Sequence, residues 1–82
     1  MFNPTTTIKF DLPDISRVKL EVFNILGQKV ITLMDQVCTA GYKSVRWDAG
    51  ELASGMYIYR IKTESLADGE KFASVKKMVL IK

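Results

Sequence analysis

Apolar and polar residues alternate along most of this 82-residue chain, and the alternation is clearest after Gly55. Tyr57, Tyr59 and Ile61 fall on one face of an extended segment there. Aromatic and β-branched residues at every second position are typical of a β-strand. Ile58 adds an apolar side chain to the opposite face, so we expect this strand near the middle of a sheet, covered on one face and partly on the other. Gly55 gives the backbone the freedom to enter the strand abruptly.

The same period predicts five further strands, separated by turn-forming residues. The predicted strands are Thr5–Leu12, Val18–Asn24, Gln28–Asp35, Tyr42–Asp48 and Lys71–Ile81. Asn24–Gly27 is short enough to join the second and third strands as a hairpin, and the pair Asp68-Gly69 favours a second hairpin. Six or seven short strands without an amphipathic helix predict an all-β fold, a small antiparallel β-sandwich.

The third strand is expected to alternate strictly between its two faces and to be followed by a loop. Strict alternation would place Val30 and Met34 on one face of the strand and Leu33 on the other. We expect a loop at Gln36–Ala40, with Cys38 as a small, partly buried side chain within it.

The aromatic side chains have two interpretations. Val45 and Trp47 are expected to point inward, with Trp47 as the buried tryptophan of a sandwich. Tyr57, just after Gly55, is expected to form a corner in which its hydroxyl bonds to nearby backbone. Alternatively, Trp47, Tyr57 and Tyr59 form a platform on which sugars or bases stack. Inward-facing aromatic residues on strands usually belong to the core, which favours the first interpretation.

Length and composition indicate one soluble domain spanning residues 1–82. Apolar residues make up 48% of the chain and charged residues 26%, which is ordinary for a globular protein. No apolar run is long enough to span a membrane, and the N-terminus has no signal-peptide pattern. The chain is therefore either cytoplasmic or a piece of a longer exported protein. We favour the second interpretation because Met1 runs almost directly into the first predicted strand.

Charge and residue chemistry exclude several classes of function. The net charge of +3 is spread along the sequence, and the only basic pair is Lys76-Lys77, which argues against nucleic-acid binding. The chain has no histidine and one cysteine, so it lacks the usual general base and cannot build a Cys/His zinc site. Asp48 and Glu51 are the only acidic pair spaced for calcium, but a turn-capping aspartate explains them better. We expect Asp48–Glu51 to turn the chain, with one helical turn as a possible form. The sequence predicts no enzyme, no metal and no cofactor.

Five segments resemble, in the right order, the C-terminal sorting domain of the type IX (Por) secretion system. They are Asn3–Pro13, Val22–Val30, Gly41 with Val45–Asp48, Leu52–Tyr57 and Lys76–Lys82. The chain also looks like the immunoglobulin-like domain of flagellar hook-capping proteins. The resemblance implies an immunoglobulin-like sandwich of about seven strands at the C-terminus of a larger exported protein. It also implies transit through the periplasm, recognition by a secretion translocon, and arrival at the outer membrane surface or in the medium. A sortase-like peptidase is a further implied partner.

The resemblance places the recognition signal in the C-terminal strands. The residues onto which it maps are Gly55, Tyr57, Lys76, Lys77, Met78, Val79, Leu80, Ile81 and Lys82. A last strand at a sheet edge offers unpaired backbone groups to another chain. The lysines would limit self-association, so that we expect a monomer or a weak edge-strand dimer, and would mark the edge for an acidic receptor. Alternatively, this strand only closes the core and its lysines face solvent; the two interpretations are compatible.

A second class of function is a structural or adhesive immunoglobulin-like module. Such a module would belong to a hook-cap-like scaffold or would bind glycans for a neighbouring enzyme. A glycan-binding module should expose an aromatic patch, with Trp47 or Tyr59 outside the core. The position of these two side chains in the fold therefore tests the glycan-binding form of this second class.

Overall fold

Six strands form two antiparallel sheets in the computed structural model, which describes residues 5–50 and 52–80. The strands are β1 (Thr5–Leu12), β2 (Ser16–Asn24), β3 (Lys29–Cys38), β4 (Gly41–Asp48), β5 (Gly55–Ser65) and β6 (Lys71–Leu80). β1 pairs with β4, and the second sheet has the order β3-β2-β5-β6. No helix occurs in the part of the chain that the structure describes. The predicted all-β sandwich is confirmed, with six strands in these residues where about seven were predicted.

β5 lies inside the four-stranded sheet, between β2 and β6, as its apolar pattern predicts. Leu20 of β2 stands opposite Ile61, and Val22 stands opposite Tyr59. Partners in an antiparallel ladder point to the same side of the sheet, so these four side chains share the inner face, which packs on the β1–β4 sheet. Ile58 on the other face is only half-buried. The strand is therefore covered fully on one side and partly on the other, as predicted.

The core between the sheets consists of two groups of side chains that follow one another along the inner face of β2. Val18, Leu20 and Val22 have no exposed surface and form its centre. The first group is Ile8, Leu12, Val18, Leu20, Cys38 and Ile61. The second group is Val22, Trp47, Ala49, Tyr57 and Leu80. Trp47 is 7% exposed, which confirms its predicted inward position.

The prediction for β3 is wrong in two respects. The register between β2 and β3 shifts twice, between Leu20 and Glu21 and between Val22 and Phe23. Each shift breaks the period of two, as a β-bulge does. The half-buried side chains Val30, Leu33 and Met34 therefore all pack against the core instead of alternating.

The second error concerns the expected loop at Gln36–Ala40. β3 continues to Cys38, because Gln36 pairs with Val18 and Cys38 pairs with Ser16. Cys38 is 8% exposed and packs in the core, so it is a buried strand residue rather than a partly buried loop residue. The polar residues of this segment do not predict a strand, because its extended structure depends on pairing with β2.

The chain reverses after Asp48 without a helical residue in the described positions. The Asp48 carboxylate accepts a hydrogen bond from the Gly50 amide at 2.9 Å, which matches the turn-capping interpretation. The Leu52 amide donates to the Ala49 carbonyl at 3.0 Å and closes the turn. Glu51, the other half of the candidate calcium pair, lies outside the described residues.

The predicted hairpin between β2 and β3 is confirmed, and Asn24 organises its turn. Asn24 Oδ1 accepts hydrogen bonds from the amides of Leu26 and Gln28, both at 3.0 Å. The Gly27 amide donates to the Asn24 carbonyl at 3.0 Å. Gly27 has a φ of 83°, a conformation that glycine adopts without steric cost. One side chain thus holds both backbone ends of the turn.

Replacing Asn24 by alanine removes the two hydrogen bonds that its Oδ1 accepts and the one that its Nδ2 donates to Gln28 Oε1 at 2.9 Å. We expect Asn24→Ala to lower the free energy of unfolding by about 1 kcal/mol, since each bond contributes modestly at an exposed site. Urea unfolding of the two proteins measures the difference. Asn24→Asp keeps the accepting oxygen and is expected to lose less than half as much. Equal stability of wild type and Asn24→Ala would contradict this role.

Candidate recognition surface

β6 is an edge of the four-stranded sheet, as predicted for the last strand. It pairs with β5 on one side, and no other described strand pairs with it. The backbone groups on its other side therefore have no ladder partner in the described residues. Such a row of donors and acceptors can accept an added strand from another chain.

The side chains of β6 separate into a core face and an exposed face, which the sequence left open. Leu80 is 5% exposed and Met78 is half-buried, and both pack in the core. Lys77 and Val79 lie on the opposite face and are exposed, Val79 at 61%. Lys76 shares the inner face with Met78 but is exposed at the sheet edge. The strand closes the core and also presents two exposed lysines.

Gly55 and Tyr57 lie beside the C-terminal end of β6. Gly55 is opposite Leu80, and Tyr57 is opposite Met78. The structure thus brings together seven of the nine residues in the predicted recognition set, whereas Ile81 and Lys82 lie outside the described residues. Tyr57 is 9% exposed, so it supports the end of β6 from the core and has little surface available to a partner.

The Tyr57 hydroxyl forms the predicted corner. It donates a hydrogen bond to the Ala53 carbonyl at 2.9 Å, which ties the turn before β5 to the strand. Removing a partly buried hydroxyl that has one partner leaves that carbonyl unsatisfied. We expect Tyr57→Phe to lower the free energy of unfolding by about 1 kcal/mol with the fold retained. Thermal unfolding monitored by circular dichroism measures this effect, and an unchanged midpoint would contradict it.

Among residues 5–50 and 52–80, the aromatic side chains do not form the exposed platform that a glycan-binding module needs. Trp47 belongs to the core, and Tyr59 packs against both core groups. Tyr42 is 89% exposed on β4, and Phe72 is 62% exposed on β6, in different sheets. The interpretation of Trp47 and Tyr59 as core residues is confirmed.

The outer face of the four-stranded sheet, which points away from β1 and β4, is strongly basic. The ladder registers place seven cationic and three anionic side chains on it. The ten residues are Arg17, Lys19, Lys29, Arg60, Lys62, Lys71, Lys77, Glu21, Asp35 and Glu64. This excess of positive charge is larger than the net charge of +3 for the whole chain. Charge that is dispersed along the sequence is therefore gathered on one face by the fold.

Residues 2–80 match the family described as the secretion system C-terminal sorting domain. The chain belongs to this family. The sorting domain is the C-terminal sorting signal of type IX secretion cargo, and such cargo is exported across the outer membrane. Neither curated proteins nor solved structures give a significant match to the chain.

Membership of the family fits the chemistry of the described residues. Domains of this family are in general non-catalytic. Residues 5–50 and 52–80 contain no group of three or more His, Cys, Asp or Glu residues placed to hold a metal ion. Within the same residues there is no helix with the length and apolar character needed to cross a membrane. The described residues do present a strand edge without a ladder partner and a charged sheet face.

The basic face of the sorting domain is organised around one buried carboxylate. The Glu21 side chain is 5% exposed, accepts a hydrogen bond from Arg60 at 3.0 Å and lies 3.9 Å from Lys29. Burial by itself raises the pKa of Glu21, but the Arg60 hydrogen bond and the charges of Lys19, Arg60 and Lys62 lower it below its ordinary value. The Arg60 guanidinium also lies 4.9 Å from the centre of the Phe23 ring, within reach of a cation–π interaction.

Proposed function

We propose that the type IX machinery recognises this domain through the edge formed by the C-terminal half of β6 and the start of β5. The observation that carries the proposal is the unpaired side of β6, flanked by the exposed side chains of Lys76, Lys77 and Val79. A receptor strand can pair with this edge, and acidic receptor side chains can meet the two lysines. Tyr57 and Leu80 hold the edge from the core side.

The proposal includes the route and partners of the parent protein. The domain is one folded unit of a larger exported protein, which passes through the periplasm before it reaches the cell surface or the medium. A translocon component binds the β6 edge, and a sortase-like peptidase acts on the cargo afterwards. The glycan-binding alternative lacks support, because Trp47 and Tyr59 pack in the core. The relation to hook-capping proteins stays a prediction, and the proposed edge does not depend on it.

A transport assay with matched charge changes tests the edge. Residues 1–82 are fused behind a periplasmically exported fluorescent protein in a type IX-competent bacterium. One variant carries Lys76→Glu and Lys77→Glu, which reverse the charge of the β6 edge. The control carries Lys9→Glu and Arg46→Glu, two exposed positions on β1 and β4 with the same change in charge. A third fusion lacks residues 76–82.

We expect the β6 variant and the truncated fusion to stay in the periplasm, while the control reaches the surface or medium like the wild type. Thermal unfolding of each purified domain separates failure to fold from failure to be recognised. Normal export of the folded β6 variant would show that Lys76 and Lys77 are not needed for recognition. Normal export of the truncated fusion as well would contradict recognition through β6.

A further inference from the structure

A second surface on the sorting domain lies at the other end of the sheet from the proposed edge. A groove of about 500 Å³ crosses the outer face of all four strands there. The residues of its wall that matter for recognition are Arg17, Lys19, Lys62, Lys71 and Ala73. Ala73 is exposed and is the ladder partner of Lys62, so a small apolar side chain adjoins the cations.

The centre of the groove holds a pair of like charges. Lys19 of β2 and Lys62 of β5 are direct partners in the antiparallel ladder. Side chains at such positions stand about 5 Å apart at Cβ, and like charges there destabilise the sheet. Neither lysine forms an ion pair with another described residue. The fold therefore carries a repulsive contact at the middle of its main sheet.

The acidic neighbours relieve this repulsion only in part. Glu21 on the same face attracts both lysines, but its carboxylate also accepts a hydrogen bond from Arg60 at 3.0 Å. Asp35 stands opposite Lys19 in the β2–β3 ladder but pairs with Arg17 at 3.1 Å. Glu64 lies 3.7 Å from Lys71 at the rim. Arg17 and Lys71 thus form ion pairs, whereas Lys19 and Lys62 form none with another described residue. A carboxylate from another molecule would complete the charge pattern.

We infer that this groove binds an extended acidic segment of a partner protein, which places a carboxylate between Lys19 and Lys62 and an apolar side chain against Ala73. The charge of the groove is complementary to such a segment. The inference rests on the proposed function, since a secretion apparatus made of proteins supplies the partner. It adds a contact surface separate from the β6 edge.

The substitution Lys62→Glu separates stability from recognition. It converts the repulsive pair into an attractive one, so we expect the midpoint of thermal unfolding to rise by about 3 °C. The same change places a negative charge in the groove, so binding of a short peptide of alternating glutamate and leucine should weaken about tenfold. Amide chemical shifts in a nuclear magnetic resonance titration report that binding. Surface export of the fluorescent fusion should fall together with it.

Matched variants decide between the possible outcomes. Lys62→Arg keeps the positive charge and should bind and export like the wild type, and so should Lys9→Glu, which changes the charge of the other sheet. Normal export of Lys62→Glu, with failure of the Lys76→Glu/Lys77→Glu variant, would overturn the groove and leave the proposed edge in place. Binding of dextran sulfate without binding of the peptide would overturn the inference in favour of an anionic glycan. An unchanged unfolding midpoint in Lys62→Glu would also count against it, because the like-charge pair would then cost the fold nothing.

Discussion

Leu20→Ala is expected to lower the free energy of unfolding by about 2–5 kcal/mol, the largest effect that we predict for a single substitution. Leu20 has no exposed surface and lies on β2 opposite Ile61, at the centre of the first core group. The substitution removes buried methyl groups and leaves a cavity that strands held on both sides cannot close fully. A domain of this size has a stability of roughly 4–12 kcal/mol, so the loss is a large fraction of the total.

Urea unfolding at a fixed temperature measures the loss. Leu26→Ala is the matched control, because the same atoms are removed from a turn residue that is 78% exposed. We expect the control to lie within about 0.5 kcal/mol of the wild type. A Leu20→Ala domain that is as stable as this control would contradict the placement of β2 at the centre of the core.

Glu21→Gln is expected to have the second largest effect, a loss of about 1–3 kcal/mol at neutral pH. The glutamine keeps the size of the side chain but removes the charge that faces Arg60 and Lys29. Arg60 is 37% exposed and Lys29 51%, so water screens both cations partly and the loss falls below that for a fully buried pair. Glu64→Gln is the control, since its carboxylate is 47% exposed and pairs with an exposed Lys71. That change should cost less than about 0.5 kcal/mol.

The Glu21 effect should also depend on pH in a defined direction. The pKa of Glu21 is lower in the folded chain than its ordinary value, so the folded state favours the charged form. The resulting stabilisation is complete above the unfolded pKa and is lost as the pH falls through the folded pKa. Urea midpoints measured from about pH 7 down to about pH 2 should therefore show the wild type and Glu21→Gln converging. A difference that stays constant over this range would show that charge is not the cause.

Strand ends that are marked by proline, glycine or other turn-forming residues could be predicted from the sequence. β1 ends where Pro13 removes a ladder donor, and β5 begins at Gly55 as its pattern indicates. The Tyr57 corner was also predictable, because the tyrosine follows a turn directly. These features depend on residues that are adjacent in the chain, so a single sequence contains the information needed to predict them.

Features that depend on pairing between distant segments could not be predicted. The bulges in β3 arise from its register with β2, and the apolar pattern shows no sign of them. The basic face arises because β2 and β5 place Lys19 beside Lys62, which lie far apart in the sequence. The even spread of lysines along the chain instead suggested a surface without a concentrated basic patch. The predicted recognition residues Gly55 and Tyr57 do meet β6, since a hairpin joins the two strands.

The central place of β5 has a consequence for the rate of folding. Neighbouring strands form the hairpins β2–β3 and β5–β6, but the β1–β4 and β2–β5 ladders join segments that are distant in the chain. Closing the long loops between such segments costs entropy before the stabilising contacts form. Proteins with non-local β-topologies therefore fold in about milliseconds to seconds. Until β5 docks on β2 the two hairpins have no common core. A factor that acts on the unfolded chain therefore has the interval before the β1–β4 and β2–β5 ladders form in which to bind it.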